Sequence, residues 1–150
     1  DALLLGKPAY DQYIDDKSFN VDAYWPVPQT TCPSKKQPVD VVPKGWGKEI
    51  VFVNNSEYCG KILCFEAGKK FSMHYHLDKK ETWYVSKGRF LMHWIQPTTG
   101  TLYSEYLTTG DVITNERGEP HQVQALEASE LFEVSTHHCD HDSFRIWRGD

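Results

Sequence analysis

Apolar and polar residues follow two different patterns in the two parts of the chain. Beyond residue 47, short runs rich in β-branched and aromatic residues recur at 49–54, 60–66, 71–76, 81–86, 89–95, 102–107, 111–114, 120–126 and 130–135. Turn residues such as Asn54-Asn55-Ser56, Ser86-Lys87-Gly88 and Thr108-Thr109-Gly110 separate them, and no helical period runs through the region. Closely spaced strands of this kind predict an all-β, antiparallel sandwich or barrel over residues 48–150, with a small concave interior.

Residues 1–47 read differently. Pro8, Pro26, Pro28, Pro33, Pro38 and Pro43 prevent a helix or a central strand through most of this segment, which is expected to be an extended arm. Tyr10, Tyr13, Ile14, Phe19, Tyr24, Trp25 and Val27 are too apolar to be left in water. Either the body of the same chain or a neighbouring subunit must cover them. Because a two-sheet barrel keeps unpaired edges, a homodimer with the arm laid across the partner is expected.

Composition narrows the function classes. At 150 residues the chain can bury a core without staples, and 39% hydrophobic against 25% charged residues describes a soluble globular protein with no run apolar enough to span a membrane. A formal net charge of −5 repels phosphate backbones, so nucleic acid is an unsuitable partner and a small molecule fits better. Cys32, Cys59, Cys64 and Cys139 form no CxxC pair, and Cys59 and Cys64 have opposite strand parity. Residues 1–6 are too short for a signal-peptide core and lack its basic flank. The cysteines therefore read as reduced thiols in a cytoplasmic protein.

The chemistry concentrates in Phe71-Ser72-Met73-His74-Tyr75-His76. Strand alternation puts His74 and His76 on one face, with Phe71, Met73 and Tyr75 on the other. Glu81 opens the next strand, so a hairpin would return its carboxylate beside the two imidazoles, and His121 comes from a later strand. Three imidazoles and one carboxylate suit one divalent transition metal, Mn, Fe, Co, Ni or Zn, with coordination positions left over if the ion is five- or six-coordinate. His93 shares parity with Leu91 and Ile95 and reads as a packed or surface residue, and His137-His138-Cys139-Asp140-His141 reads as a polar loop.

The segment from Gly68 through His74, His76 and Glu81 to Gly88 matches in full the first cupin motif, G-x5-H-x-H-x4-E-x6-G. Gly110, Gly118 and His121 match the second, with Glu116 and Ala125 where proline and asparagine are usual. From about Trp46 to Ser135 the chain therefore resembles the cupin superfamily. That resemblance implies a double-stranded β-helix, a jelly-roll barrel with the metal near its centre.

Flanking residues suggest a subgroup. Lys44-Gly45-Trp46-Gly47, Tyr58-Cys59-Gly60-Lys61, Ser72-Met73 and Glu81-Thr82-Trp83 resemble type II phosphomannose isomerase domains, which usually carry glutamine where His74 stands. Phe132-Glu133-Val134-Ser135-Thr136 and Asp142-Ser143-Phe144-Arg145 resemble the end of these isomerases and of the D-lyxose isomerase group. The resemblance implies a metal-dependent aldose–ketose isomerase acting on a sugar or sugar phosphate. Such a reaction needs a general base, for which Glu133 is the candidate, and Lys61 could bind a phosphate or polarise an oxygen. The same ligand set would also serve an Fe(II)-dependent dioxygenase, or a metal- and sugar-binding cupin without turnover.

Overall fold

Each of the runs read as a strand forms one in the computed structural model, which describes residues 36–150. The compact unit containing them runs from Gln37 to Asp150. Its strands are β1 (Asp40–Lys44), β2 (Gly47–Asn54), β3 (Cys59–Phe65), β4 (Met73–Tyr75), β5 (Glu81–Lys87), β6 (Arg89–Ile95), β7 (Leu102–Thr108), β8 (Val112–Asn115), β9 (His121–Ala125), β10 (Ser129–Ser135) and β11 (Phe144–Trp147). They pair as two antiparallel sheets, β1-β2-β3-β10-β5-β8 and β11-β4-β9-β6-β7, the jelly-roll arrangement.

Strands β1 and β11 are additions to the expected set. β1 falls inside the segment read as arm, where Pro43 argues against a central strand. It pairs only with β2, and an edge position tolerates a residue that cannot donate to the ladder. β11 is likewise an edge, antiparallel to β4. The aromatic cluster from Tyr10 to Val27, on which the arm-exchanged homodimer was argued, lies outside the described residues. Among the described residues no helix is long and apolar enough to cross a membrane.

Register sorts the inward side chains of the six-stranded sheet into layers. Leu63, Leu131 and Val85 line up across β3, β10 and β5 and are buried, forming an apolar layer. One step along come Lys61, Glu133 and Trp83, and then Cys59, Ser135, Glu81 and Asn115. One end of the barrel is thus filled with hydrocarbon and the other with buried polar groups. The apolar end is closed by aromatic rings, Trp46 stacked on Phe65 at 4.3 Å and Phe90 edge-on to Phe65 at 5.3 Å. Gly88 joins β5 to β6 at φ +81°, where a Cβ would stand 2.2 Å from the Ser129 hydroxyl oxygen. No side chain fits there.

The outer face of this sheet is also apolar. Val41, Ile50, Ile62, Phe132, Tyr84 and Val112 share one line of register across all six strands. Tyr84 is 44% and Val112 65% exposed. An antiparallel sheet with one solvated face normally carries polar residues there.

Candidate metal centre

His74 on β4 and His121 on β9 are direct register partners, and His76 follows immediately after β4. Ring centroids lie 4.7 Å apart for His74 and His121 and 4.9 Å for His74 and His76. Each Nδ1 meets a backbone carbonyl: Ser72 at 2.8 Å, Asp142 at 2.5 Å and Glu119 at 2.9 Å for His74, His76 and His121. A carbonyl can only accept, so in each neutral ring the proton sits on Nδ1 and Nε2 presents a lone pair. Candidate ligand atoms of the three residues lie within 4.8 Å of one another, and the Nε2 atoms of His76 and His121 are buried without a hydrogen-bond partner. Converging, orphaned, fixed-tautomer imidazoles are what a transition metal requires of its protein.

Burial keeps the His74 and His76 rings in their ligating form. Burial, reinforced by His121, lowers the His74 pKa to about 3. Burial and the Lys79 ammonium lower that of His76 to about 4. The loop after His76 is held from outside: Gly118, at φ +75°, donates its amide to the His76 carbonyl at 2.6 Å.

Glu81, expected as the fourth ligand, comes to the edge of this group, though not by the expected hairpin. β4 and β5 belong to different sheets, and the carboxylate approaches the imidazoles from the opposite wall of the barrel. Its Oε1 is 2.8 Å from His121 Nε2, out of line for a hydrogen bond, so both atoms stay buried and unpartnered. A lone pair facing a carboxylate oxygen at that separation is repulsive unless a cation lies between them, and Glu81 therefore fits a ligand role through Oε1. Its Oε2 contacts Lys79 Nζ. Burial opposes ionisation of Glu81, but the Lys79 ammonium outweighs it and holds its carboxyl well below the usual range.

Glu133 and Lys61 both point inward. The Glu133 carboxylate is 3% exposed and accepts from Lys79 Nζ at 3.1 Å. Burial, with the nearby Glu81 charge, raises its pKa, while Lys79 and Lys61 pull the other way. Lys61 is buried too, with Nζ 3.4 Å from Glu49. These residues line a cavity of about 700 Å³ together with His74, His76 and Glu81, a size usual for small-molecule sites. Arg145 and Arg148 line it as well, and among the described residues neither guanidinium has a carboxylate within ion-pair distance.

Several expectations need adjusting. Phe71 does not face away from the imidazoles: β4 is only three residues long, alternation stops at Ser72, and the Phe71 ring packs edge-on to His74 at 5.1 Å. His93, by contrast, sits as expected outside the metal group, half-buried with Nδ1 2.7 Å from the Ser104 hydroxyl. The polar loop near Cys139 is only partly a loop, because a short 3-10 turn, Asp140–Asp142, follows it. Sequence reasoning missed Lys79 and Asp142. Lys79 acts from a loop and Asp142 from the short 3-10 turn, and in neither does strand parity carry a signal.

No protein-family model matches this chain, and no curated protein matches it either. Among solved structures, a variant of oxalate decarboxylase from Bacillus subtilis is similar over 72% of this chain, with a TM-score of 0.65 and 18% identity. The capsular polysaccharide assembling protein CapF from Staphylococcus aureus is similar over 75%, with a TM-score of 0.64 and 13% identity. The chain has the cupin fold. It spans only 30% and 33% of those two proteins' lengths. In this cupin barrel the polar end holds His74, His76 and His121, which could bind one divalent transition metal.

Proposed function

We propose that this cupin is a metal-dependent isomerase that interconverts the aldose and ketose forms of a phosphorylated sugar. The observation that carries the reading is Glu133: a buried carboxylate with a raised pKa lines the same cavity as the three histidines and is held there by Lys79. A carboxylate made more basic by burial is suited to taking a proton from carbon and giving it back. The bound ion would supply Lewis-acid polarisation of the substrate carbonyl.

In this scheme Glu133 removes the proton from C2 of the aldose, and the C–H electron pair becomes the C1–C2 double bond of an enediol as the carbonyl oxygen gains a proton. Glu133 then returns its proton to C1 while the C2 hydroxyl loses its own, which leaves the ketose carbonyl at C2. No oxidant or reductant is consumed. Lys61 and Glu49, paired on the wall, would orient sugar hydroxyls. Arg145 and Arg148, which have no carboxylate partner among the described residues, would match a phosphate at the far end of the substrate.

The test is incubation of the metal-loaded protein, Mn(II) or Fe(II), in parallel anaerobic and aerobic arms with a panel of aldose phosphates and their neutral counterparts, with ketose formation followed by NMR. Conversion of a phosphorylated sugar without oxygen supports the reading. Oxygen-dependent consumption of the panel, or tight binding with no product, overturns it in favour of a dioxygenase or a non-catalytic binding protein. We also propose a homodimer, supported by the aromatic residues between Tyr10 and Val27 and by the apolar row on the outer sheet face. A monomer by light scattering at micromolar concentration would count against it.

A further inference from the structure

One ammonium serves two buried carboxylates on the wall of the site. Lys79 Nζ contacts Glu81 Oε2 and lies 3.1 Å from Glu133 Oε1, and all three side chains are at most 4% exposed. Glu81 and Glu133 stand on adjacent strands: Ser135 is the register partner of Glu81, and Glu133 is two residues away on the same inward face. Diagonal neighbours of this kind are about 7–8 Å apart at the backbone, within reach of one glutamate side chain. Nothing in the strand geometry prevents Glu133 from swinging toward the ion that Glu81 would help to hold. A carboxylate bound to a metal is a poor base, because the lone pair that would take a proton is already engaged.

We infer that Lys79 is a positioning residue that reserves Glu133 for the substrate by denying it to the metal. Its ammonium holds one oxygen of each carboxylate, which leaves Glu81 a single oxygen for the ion and fixes Glu133 against the wall. The loop that carries Lys79 is itself rigid, since its backbone amide donates to Asp142 Oδ2 at 2.9 Å. Holding a positive charge beside a cation site weakens cation binding, so Lys79 works against metal affinity. This arrangement makes sense only if a free Glu133 is worth more than a tighter ion, and in that respect the inference rests on the reading of Glu133 as proton carrier.

A lysine with a merely structural role and one with this reserving role predict opposite signs. Mn(II) is titrated calorimetrically into the full-length apo protein as wild type, Lys79→Met, Lys79→Met with Glu133→Gln, and Lys79→Arg. Lys79→Met is expected to bind Mn(II) about tenfold more tightly, the scale on which neighbours of ligands shift affinity. The double variant should lose the part of that gain that Glu133 supplies, and Lys79→Arg should return to the wild-type value. A double variant that keeps the whole gain overturns the inference, because loss of the ammonium's charge would then account for it. Equal or weaker binding by a Lys79→Met protein that circular dichroism finds folded overturns the inference. If Lys79→Met unfolds as apoprotein, recovery of the fold on adding Mn(II) supports it, because the ion then compensates the two carboxylates. If neither Lys79→Met nor Lys79→Gln folds with Mn(II) present, the role is structural and the inference fails. No sugar enters these titrations, so they can succeed or fail whether or not the isomerase reading holds.

Discussion

The His76 imidazole donates from Nδ1 to the backbone carbonyl of Asp142 at 2.5 Å, joining residues 66 positions apart in sequence. The Asp142 carboxylate meanwhile accepts from the amides of Leu77 and Lys79, at 2.8 and 2.9 Å. Burial opposes its charge, but these amides lower its pKa. One residue therefore aims a candidate ligand and fixes the loop that carries Lys79. Asp142→Ala should leave the β-fold in place, lower the melting temperature and weaken Mn(II) binding by about 10- to 100-fold, read by calorimetry. Unchanged affinity would show that β4 alone orients His76.

The three imidazoles should be individually necessary for the metal. His76→Ala or His121→Ala is expected to abolish stoichiometric Mn, Fe, Co, Ni or Zn in the purified protein, measured by elemental analysis, with the far-ultraviolet circular dichroism retained. Stoichiometric metal in both variants would place the ion elsewhere. Glu81→Gln should be milder, since the carboxylate meets the group through one oxygen while Lys79 holds the other.

Legibility from sequence followed strand parity closely. Alternation correctly sends Glu81, Trp83 and Val85 inward along β5, and Leu131, Glu133 and Ser135 along β10, because both strands are long and paired on two sides. It fails at Phe71, where the strand has not yet begun, and says nothing of Lys79 or Asp142, whose positions are set by a loop and by contacts across the chain. The spacing of His74, His76 and Glu81 was readable, but not through the expected hairpin. β4 and β5 lie in different sheets, and the short connection between them crosses from one sheet to the other, so that Glu81 meets the imidazoles across the barrel. The Lys79 ammonium between two glutamates was not readable, since a lysine in a polar loop ordinarily reads as a solvated charge. β1 was hidden by Pro43, which only the edge position excuses.

Acidification should destabilise the apo protein in a defined window. His74 and His76 have folded pKa values of about 3 and about 4, against 6.5 for a free imidazole. The unfolded chain therefore takes up protons first as pH falls below 6.5, so stability is full above that value and declines toward pH 4. Glu133 runs the other way, because its raised carboxyl is protonated in the folded state before the unfolded one and offsets part of the loss. The melting temperature of metal-free protein should fall steadily between pH 6.5 and 4, and His76→Phe should flatten the curve. A flat wild-type curve would mean that the rings are not buried as neutral groups.

Glu133→Gln separates proton transfer from metal binding. The change keeps size and a hydrogen-bond acceptor but removes the proposed base, so under the isomerase reading kcat should fall by about a hundredfold or more while Mn(II) affinity stays near that of wild type. Near-normal turnover would make Glu133 a structural partner of Lys79 and shift the search to Lys61.

The charge balance of the cavity bears on the substrate of the proposed isomerisation. Lys44 and Lys61 both sit on Glu49, at 3.3 and 3.4 Å, and Lys79 is shared by Glu81 and Glu133, so these ammoniums have little charge left for a ligand. Arg145 and Arg148 differ: each lines the cavity, is solvent-exposed, and has no such partner among the described residues. A guanidinium presents two parallel donors that match phosphate oxygens. Because a phosphate remote from C1 and C2 is held equally in ground and transition states, losing its partner should raise KM and leave kcat nearly unchanged. Arg145→Gln and Arg148→Gln are thus expected to raise KM for a sugar phosphate about tenfold or more, with no effect on the corresponding neutral sugar. A matching change in KM for both sugars would assign the arginines to the fold of β11, and a fall in kcat alone would place them at the reacting carbons.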